Sequence, residues 1–209
     1  MIRGFPWLPL FAVLFLVGTG IGVAGCSNGG SKLETSSTAA PPATQTAAVG
    51  AQPGTANLEN TLYMTLSYGR IVIRLRPDLA PKHAERLKKL TREGFYNGVK
   101  FHRVINRFMA QTGDPTGTGT GGSKYPDLRA EFSRVPFTRG VVGMARASSE
   151  NSANSQFFIM FADAASLNRL YTVVGEVVEG MKYVDMIKRG EPPRNPDVVI
   201  KMQVAADAQ

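Results

Sequence analysis

From residue 62 the chain takes up a period of two: Leu62, Met64 and Leu66 fall on one face, Thr65 and Ser67 on the other. A strand buried on one side reads this way, because successive side chains leave the backbone on opposite faces. Tyr68-Gly69-Arg70 offers a tight turn into the apolar run 71–75, so the segment predicts a β-hairpin. Further strands are predicted at 100–105, 108–111, 140–146, 156–161, 172–178 and 198–204. Helical spacing occurs twice. Pro81 stands where a first turn tolerates it, Ala84, Leu87 and Leu90 follow, and Gly94 stops the run; Met181, Val184 and Ile187 mark a second helix ending at Gly190. Many short strands with two separated helices argue against repeating βαβ units and for a closed barrel or a sandwich capped by helices. Pattern alone leaves those two open.

Residues 1–57 have a different character. Met1-Ile2-Arg3 is followed by an apolar stretch over 8–17 and by small residues over 18–25, the order of a secretory leader. Val23-Ala24-Gly25-Cys26 resembles the bacterial lipobox, which implies cleavage after residue 25 and a diacylglycerol-bearing Cys26 as the first mature residue. Several acyl chains hold a protein on a membrane where one does so only marginally, since each buried methylene contributes about 0.8 kcal/mol. An uncleaved anchor fits less well, because Pro6 and Pro9 interrupt the front of the run and Gly18, Gly20 and Gly22 thin its end. Ser27 in place of aspartate favours the outer membrane by resemblance to envelope sorting rules. The Ser/Thr/Ala/Pro-rich stretch that completes 26–57 lacks large apolar side chains and predicts a tether, with an r.m.s. span of about 30 Å for roughly thirty residues. Residues 58–205 are the expected domain and 206–209 a tail. The expected location is therefore extracytoplasmic, on the periplasmic side and lipid-anchored.

A net charge of +8 invites a nucleic-acid reading, yet the basic residues are scattered. The densest group, Lys82, Arg86, Lys88, Lys89 and Arg92, is interleaved with Glu85 and Glu93 on the first helix and predicts a solvated face. No nucleic-acid partner is expected. With His83 and His102 as the only histidines and Cys26 assigned to lipid, a structural zinc site has no ligands to draw on, so no metal is expected. Gly117, Gly119 and Gly122 fit G-x-G-x-x-G, but no apolar helix follows them, and a glycine-rich loop is the better reading. Asp114 and Glu131 read as loop charges.

Two segments carry polar residues that a packed core would not choose: Phe101-His102-Arg103 with Phe108-Met109-Ala110-Gln111, and Gly143-Met144-Ala145-Arg146 with Gln156-Phe157-Phe158. Together they resemble the active face of the cyclophilins, a resemblance extending over about residues 61–205. It implies an all-β fold, an eight-stranded antiparallel closed barrel with a helix over each end. Side chains fill the interior of so small a barrel, so the ligand site must lie outside it. The implied activity is peptidyl-prolyl cis/trans isomerisation, without cofactor, on proline-containing polypeptides, by a monomer.

Rotation about an X-Pro amide destroys resonance and meets a barrier of about 20 kcal/mol. A catalyst needs no covalent step if it binds the twisted amide better than either planar form. By the resemblance, Arg103 is the catalytic residue, a permanently charged donor set against the proline nitrogen. Phe108 and Met109 form the proline pocket, with Phe158 as a wall and Leu167 beside it; Gln111 and Gln156 hold the substrate backbone. Ala145-Arg146 stands where the family has Ala-Asn, whose backbone groups pair with the peptide, so Arg146 adds a positive side chain at the rim. Where many eukaryotic relatives carry tryptophan and histidine this chain has Ser166 and Tyr171, and Tyr171 can still offer the proline ring an apolar face. His102, next to Arg103 on a strand, is expected to face the other way. The rival reading is a chaperone or assembly module that docks proline segments and turns them over incidentally.

Overall fold

The computed structural model describes residues 58–208; the leader, Cys26 and the tether expected over 27–57 lie outside the described residues. The predicted hairpin is β1 (Thr61–Leu66) and β2 (Gly69–Leu75), with Leu66 opposite Gly69. After it come α1 (Pro81–Arg92), β3 (Arg103–Ile105), β4 (Met109–Thr112), β5 (Val141–Met144), β6 (Phe157–Met160), β7 (Val173–Glu179), α2 (Met181–Met186) and β8 (Lys201–Val204). Among the described residues the eight strands form one antiparallel sheet, in the order β3-β4-β6-β5-β7-β2-β1-β8.

Eight antiparallel strands and two helices match the expectation; the closure is only approximate. The edge strands β3 and β8 do not share a ladder. Single bridges, Lys100 to Val198 and Val104 to Gly190, join the two edges. Pro192, Pro193 and Pro196 lie in the segment that would have to continue the pairing, and proline has no N–H to donate to it. The strands predicted over 100–105 and 198–204 are shorter in the structure, at β3 and β8. The second helix also stops early, at Met186, because the N–H of Lys188 turns to Asp197 Oδ2 at 2.9 Å instead of to its own helix.

Period two sorts the apolar side chains into two clusters. Leu62, Met64, Ile73, Ala110, Val142, Phe157, Ile159 and Val174 face inward, where Ala84, Leu87 and Leu90 of α1 cover them. Met109, Val141, Phe158, Met160 and Val173, from alternate positions of the same strands, form a second cluster outside with Phe137. Gly94, at φ +70°, turns the chain out of α1.

The N-terminus of α1 shows where a local reading failed. Ala80 gives it no side-chain cap. Glu131, expected to be a loop charge, reaches across and accepts from the N–H groups of Lys82 at 3.2 Å and His83 at 3.1 Å, and lies 2.6 Å from His83 Nδ1. It thereby satisfies orphan donors at the positive end of the helix. Burial pushes the His83 imidazole below its ordinary pKa against the pull of Glu131, so the ring is neutral and Nδ1 donates to the carboxylate. Leu87, 1% exposed, anchors α1 in the inner cluster. Leu87→Ala should lower the unfolding free energy by about 2–5 kcal/mol, read as a fall in the urea midpoint with an unchanged slope.

Candidate active site

The antiparallel register builds the outer face. Arg103 of β3 stands opposite Gln111 of β4, and Gln111 opposite Phe158 of β6, which in turn stands opposite Gly143 of β5. These four share one side of the sheet, while their neighbours Val104, Ala110, Phe157, Ile159, Val142 and Met144 point into the core. Gly143 is required here: an added Cβ would stand 2.5 Å from Phe158 Cζ and 2.6 Å from Phe137 Cε1. Its absence lets the Phe158 ring lie flat against Phe137, centroids 5.8 Å apart, and meet Tyr171 edge-on at the same distance.

Above this floor opens a cavity of about 720 Å³. Arg103, Phe108, Met109, Gln111, Ala145, Arg146, Phe158, Leu167 and Tyr171 all line it. Gln156 lines an adjoining cavity of about 550 Å³ that shares Gln111, Ala145 and Arg146 with the first. Leu167 sits in a short 3-10 turn, Ala165–Leu167, that carries it to the rim. The predicted residues are thus brought to one face. His102, expected to look away from Arg103, is buried but borders the same cavity. Burial lowers its pKa, opposed by the charge of Asp114.

Polar side chains run across the face in sequence. Arg103 Nη1 reaches Gln111 Oε1 at 3.5 Å, Gln111 Nε2 donates to Gln156 Oε1 at 2.8 Å, and Gln156 Nε2 donates to the carbonyls of Gly121 at 2.8 Å and Gly119 at 3.0 Å. Each amide is oriented by the next, and the last is fixed by the glycine-rich loop. Arg146 is less free than its sequence suggests. Its guanidinium lies 4.7 Å over the Tyr171 ring and donates to the carbonyls of Ala147, Ser148 and Leu170, so it braces the wall. Ala145 uses its own N–H on the Gln156 carbonyl at 2.9 Å.

The loop owes its shape to Asp114, expected to be a loop charge and found buried. Its fully buried carboxylate accepts from Thr116 N–H and hydroxyl at 2.7 Å each, and from the N–H groups of Gly119 at 2.6 Å, Thr118 at 3.1 Å and Gly121 at 3.1 Å. A side chain at Gly121 would collide with that carboxylate. Glu191, 88 residues from Arg103 in sequence, is the residue missed: its Oε2 accepts from Arg103 Nε at 2.9 Å. No local pattern could have found it. Asp114 did leave a signal, an acidic residue followed by small residues with free N–H groups.

Residues 61–205 match the family described as cyclophilin type peptidyl-prolyl cis-trans isomerase/CLD. The chain belongs to that family. It is 55% identical over 170 residues to a probable peptidyl-prolyl cis-trans isomerase of Brucella suis, covering 74% of this chain and 87% of that one. A peptidyl-prolyl cis-trans isomerase of Helicobacter pylori is 39% identical over 140 residues, covering 64% and 85%. Among solved structures, a cyclophilin from Hirschia baltica superposes with a TM-score of 0.67 at 28% identity, covering 73% of this chain and 76% of its own. A Cryptosporidium parvum cyclophilin type isomerase, crystallised in the presence of the dipeptide Ala-Pro, gives 0.65 at 27% identity, covering 69% and 98%. The protein is a peptidyl-prolyl cis-trans isomerase of the cyclophilin type, and the outer cavity is its candidate active site.

Burial alone would raise the Asp114 carboxyl, but the donors of Thr116, Gly121 and Gly119 overcome it and hold the group far below the usual carboxylate range. A folded-state value depressed below the unfolded one, about 3.9, means that the stabilisation is complete above that pH and is lost progressively as pH falls from there through the lower folded-state value. Asp114→Asn turns an amide toward N–H donors and should cost roughly 1–3 kcal/mol at pH 7. It should also flatten the decline of the urea midpoint below pH 4 relative to wild type.

Proposed function

We propose that Arg103 accelerates X-Pro rotation by donating to the proline nitrogen as the amide twists, while Phe108, Met109, Phe158, Leu167 and Tyr171 hold the ring. One observation carries this reading. Arg103 borders the cavity beside those apolar side chains with its Nε tied to Glu191 and its terminal nitrogens bonded to no carboxylate, whereas the donors of Arg146, the other cation there, go to the carbonyls of Ala147, Ser148 and Leu170. As the C–N bond rotates, resonance is lost and the nitrogen gains a lone pair, which a fixed donor stabilises in the twisted state and in neither planar form. Gln111 and Gln156 would orient the peptide backbone, with the Ala145-Arg146 segment alongside.

The substrates are proline-containing polypeptides, a reading supported by the Ala-Pro dipeptide present with the Cryptosporidium relative. The leader-like N-terminus and Cys26 support export and lipid anchoring, with proteins folding outside the cytoplasm as the clients.

Cis/trans exchange of a proline peptide, followed by NMR, tests the first part. Arg103→Ala should lower kcat/KM by about 100-fold or more, the range for loss of a transition-state donor, with peptide affinity little changed. Equally slow exchange in the two proteins with peptide affinity retained would leave only a proline-binding module, and equally fast exchange would remove Arg103 as the catalytic group. For the second part, a metabolically supplied fatty acid should label the wild-type chain and not Cys26→Ser; equal labelling of both, or of neither, removes Cys26 as the lipid site.

A further inference from the structure

We propose that Glu191 is a positioning residue for isomerisation, holding the Arg103 guanidinium by its Nε so that the terminal nitrogens are presented to the proline site. This rests on the reading of Arg103 as the catalytic group. The contact is a single charge-assisted bond, Arg103 Nε to Glu191 Oε2 at 2.9 Å, and Glu191 itself lines the cavity. An arginine side chain has many rotamers, and Arg103 stands on an edge strand with its side chain 44% exposed, where polar contacts are what fix the direction of the fork. Binding through Nε defines the plane of the fork and leaves its outer edge free. Gln111 Oε1, 3.5 Å from Nη1, constrains the other side more weakly.

The segment that delivers Glu191 is built for that position. Gly190 and Val104 exchange both backbone hydrogen bonds at 2.8 Å, which sets residue 191 beside residue 103 across the open edge of β3. Gly190 has φ +146°, and an added Cβ would stand 2.5 Å from Pro193 Cα. Pro192 and Pro193 restrict the backbone immediately after Glu191. The base of the loop is held by Asp197, which accepts from the Lys188 N–H at 2.9 Å, and by Arg189, whose guanidinium lies 3.9 Å over the Phe161 ring. Because both partners of the Arg103–Glu191 pair are about half exposed, the pair adds little to stability. Its effect is on orientation, and therefore on kcat.

The test compares kcat and KM of the full chain for wild type, Glu191→Ala, Glu191→Gln and Arg103→Ala, and for Glu191→Ala made in the Arg103→Ala background. Glu191→Ala should lower kcat by about two- to fivefold, the scale of one lost contact of this exposure, with KM changed less than kcat. Glu191→Gln keeps an oxygen acceptor at the same reach and should restore most of the rate. In the Arg103→Ala background the Glu191 substitution should change nothing. The Arg103 Nε–H resonance should be shifted and slow to exchange in wild type and Glu191→Gln and lose both properties in Glu191→Ala. If Arg103→Ala turns over like wild type, the catalytic reading of Arg103 falls, and the positioning role with it. If Arg103→Ala is slow but Glu191→Ala is unchanged or faster, or Glu191→Gln is as slow as Glu191→Ala, the positioning role alone is overturned.

Discussion

The ladder between β4 and β6 makes one site out of two stretches of chain. Gln111 pairs with Phe158 and Met109 with Met160, so residues some fifty positions apart meet on the outer face, with Ala110, Phe157 and Ile159 buried on the inner one. A slip of β4 by one residue in that register would turn Met109 and Gln111 toward the core and put Ala110 outside. The same bonds that hold the sheet together therefore also decide which side chains can meet a substrate. Gly143 completes the arrangement on β5 by leaving the volume that Phe158 and Phe137 occupy.

On that floor the polar groups are ordered from both ends. Asp114 shapes the glycine-rich loop, whose carbonyls orient Gln156, which orients Gln111, next to Arg103; Glu191 meets Arg103 from the opposite side. Two carboxylates thus frame a row of neutral amides and one guanidinium. These groups are held in place before any substrate arrives, which is the preorganisation that the donor role proposed for Arg103 calls for. The buried carboxylate serves the loop and the half-exposed one the cation, in keeping with their surroundings. Asp114 has lost its water and must be fully hydrogen-bonded, whereas Glu191 remains solvated and can act through direction alone.

Much of this was legible in the chain. Period-two runs located the strands and helical spacing located α1, because burial on one face leaves a periodic trace wherever an element lies against a core. One end was misjudged where a distant group took over a backbone bond: Asp197 draws off Lys188 and shortens α2. Glu131 read as a loop charge because its partner, the first turn of α1, is 48 residues away from it. Arg146 was expected to add a positive side chain at the rim and does line the cavity, but that carbonyls of neighbouring loops and the Tyr171 ring hold it was not legible.

The residue types at the site, the alternation that puts them outside the core and the kinship to the cyclophilins were all present in the linear order of residues, since each depends on near neighbours or on short motifs. Three things required the folded chain: how far the sheet closes, which acids hold the loop and Arg103, and which rim charges remain free. Each depends on groups separated by many residues whose approach is set by strand register and loop course. Hydrogen bonds and ion pairs act over a few ångströms, and no spacing along the sequence encodes that distance.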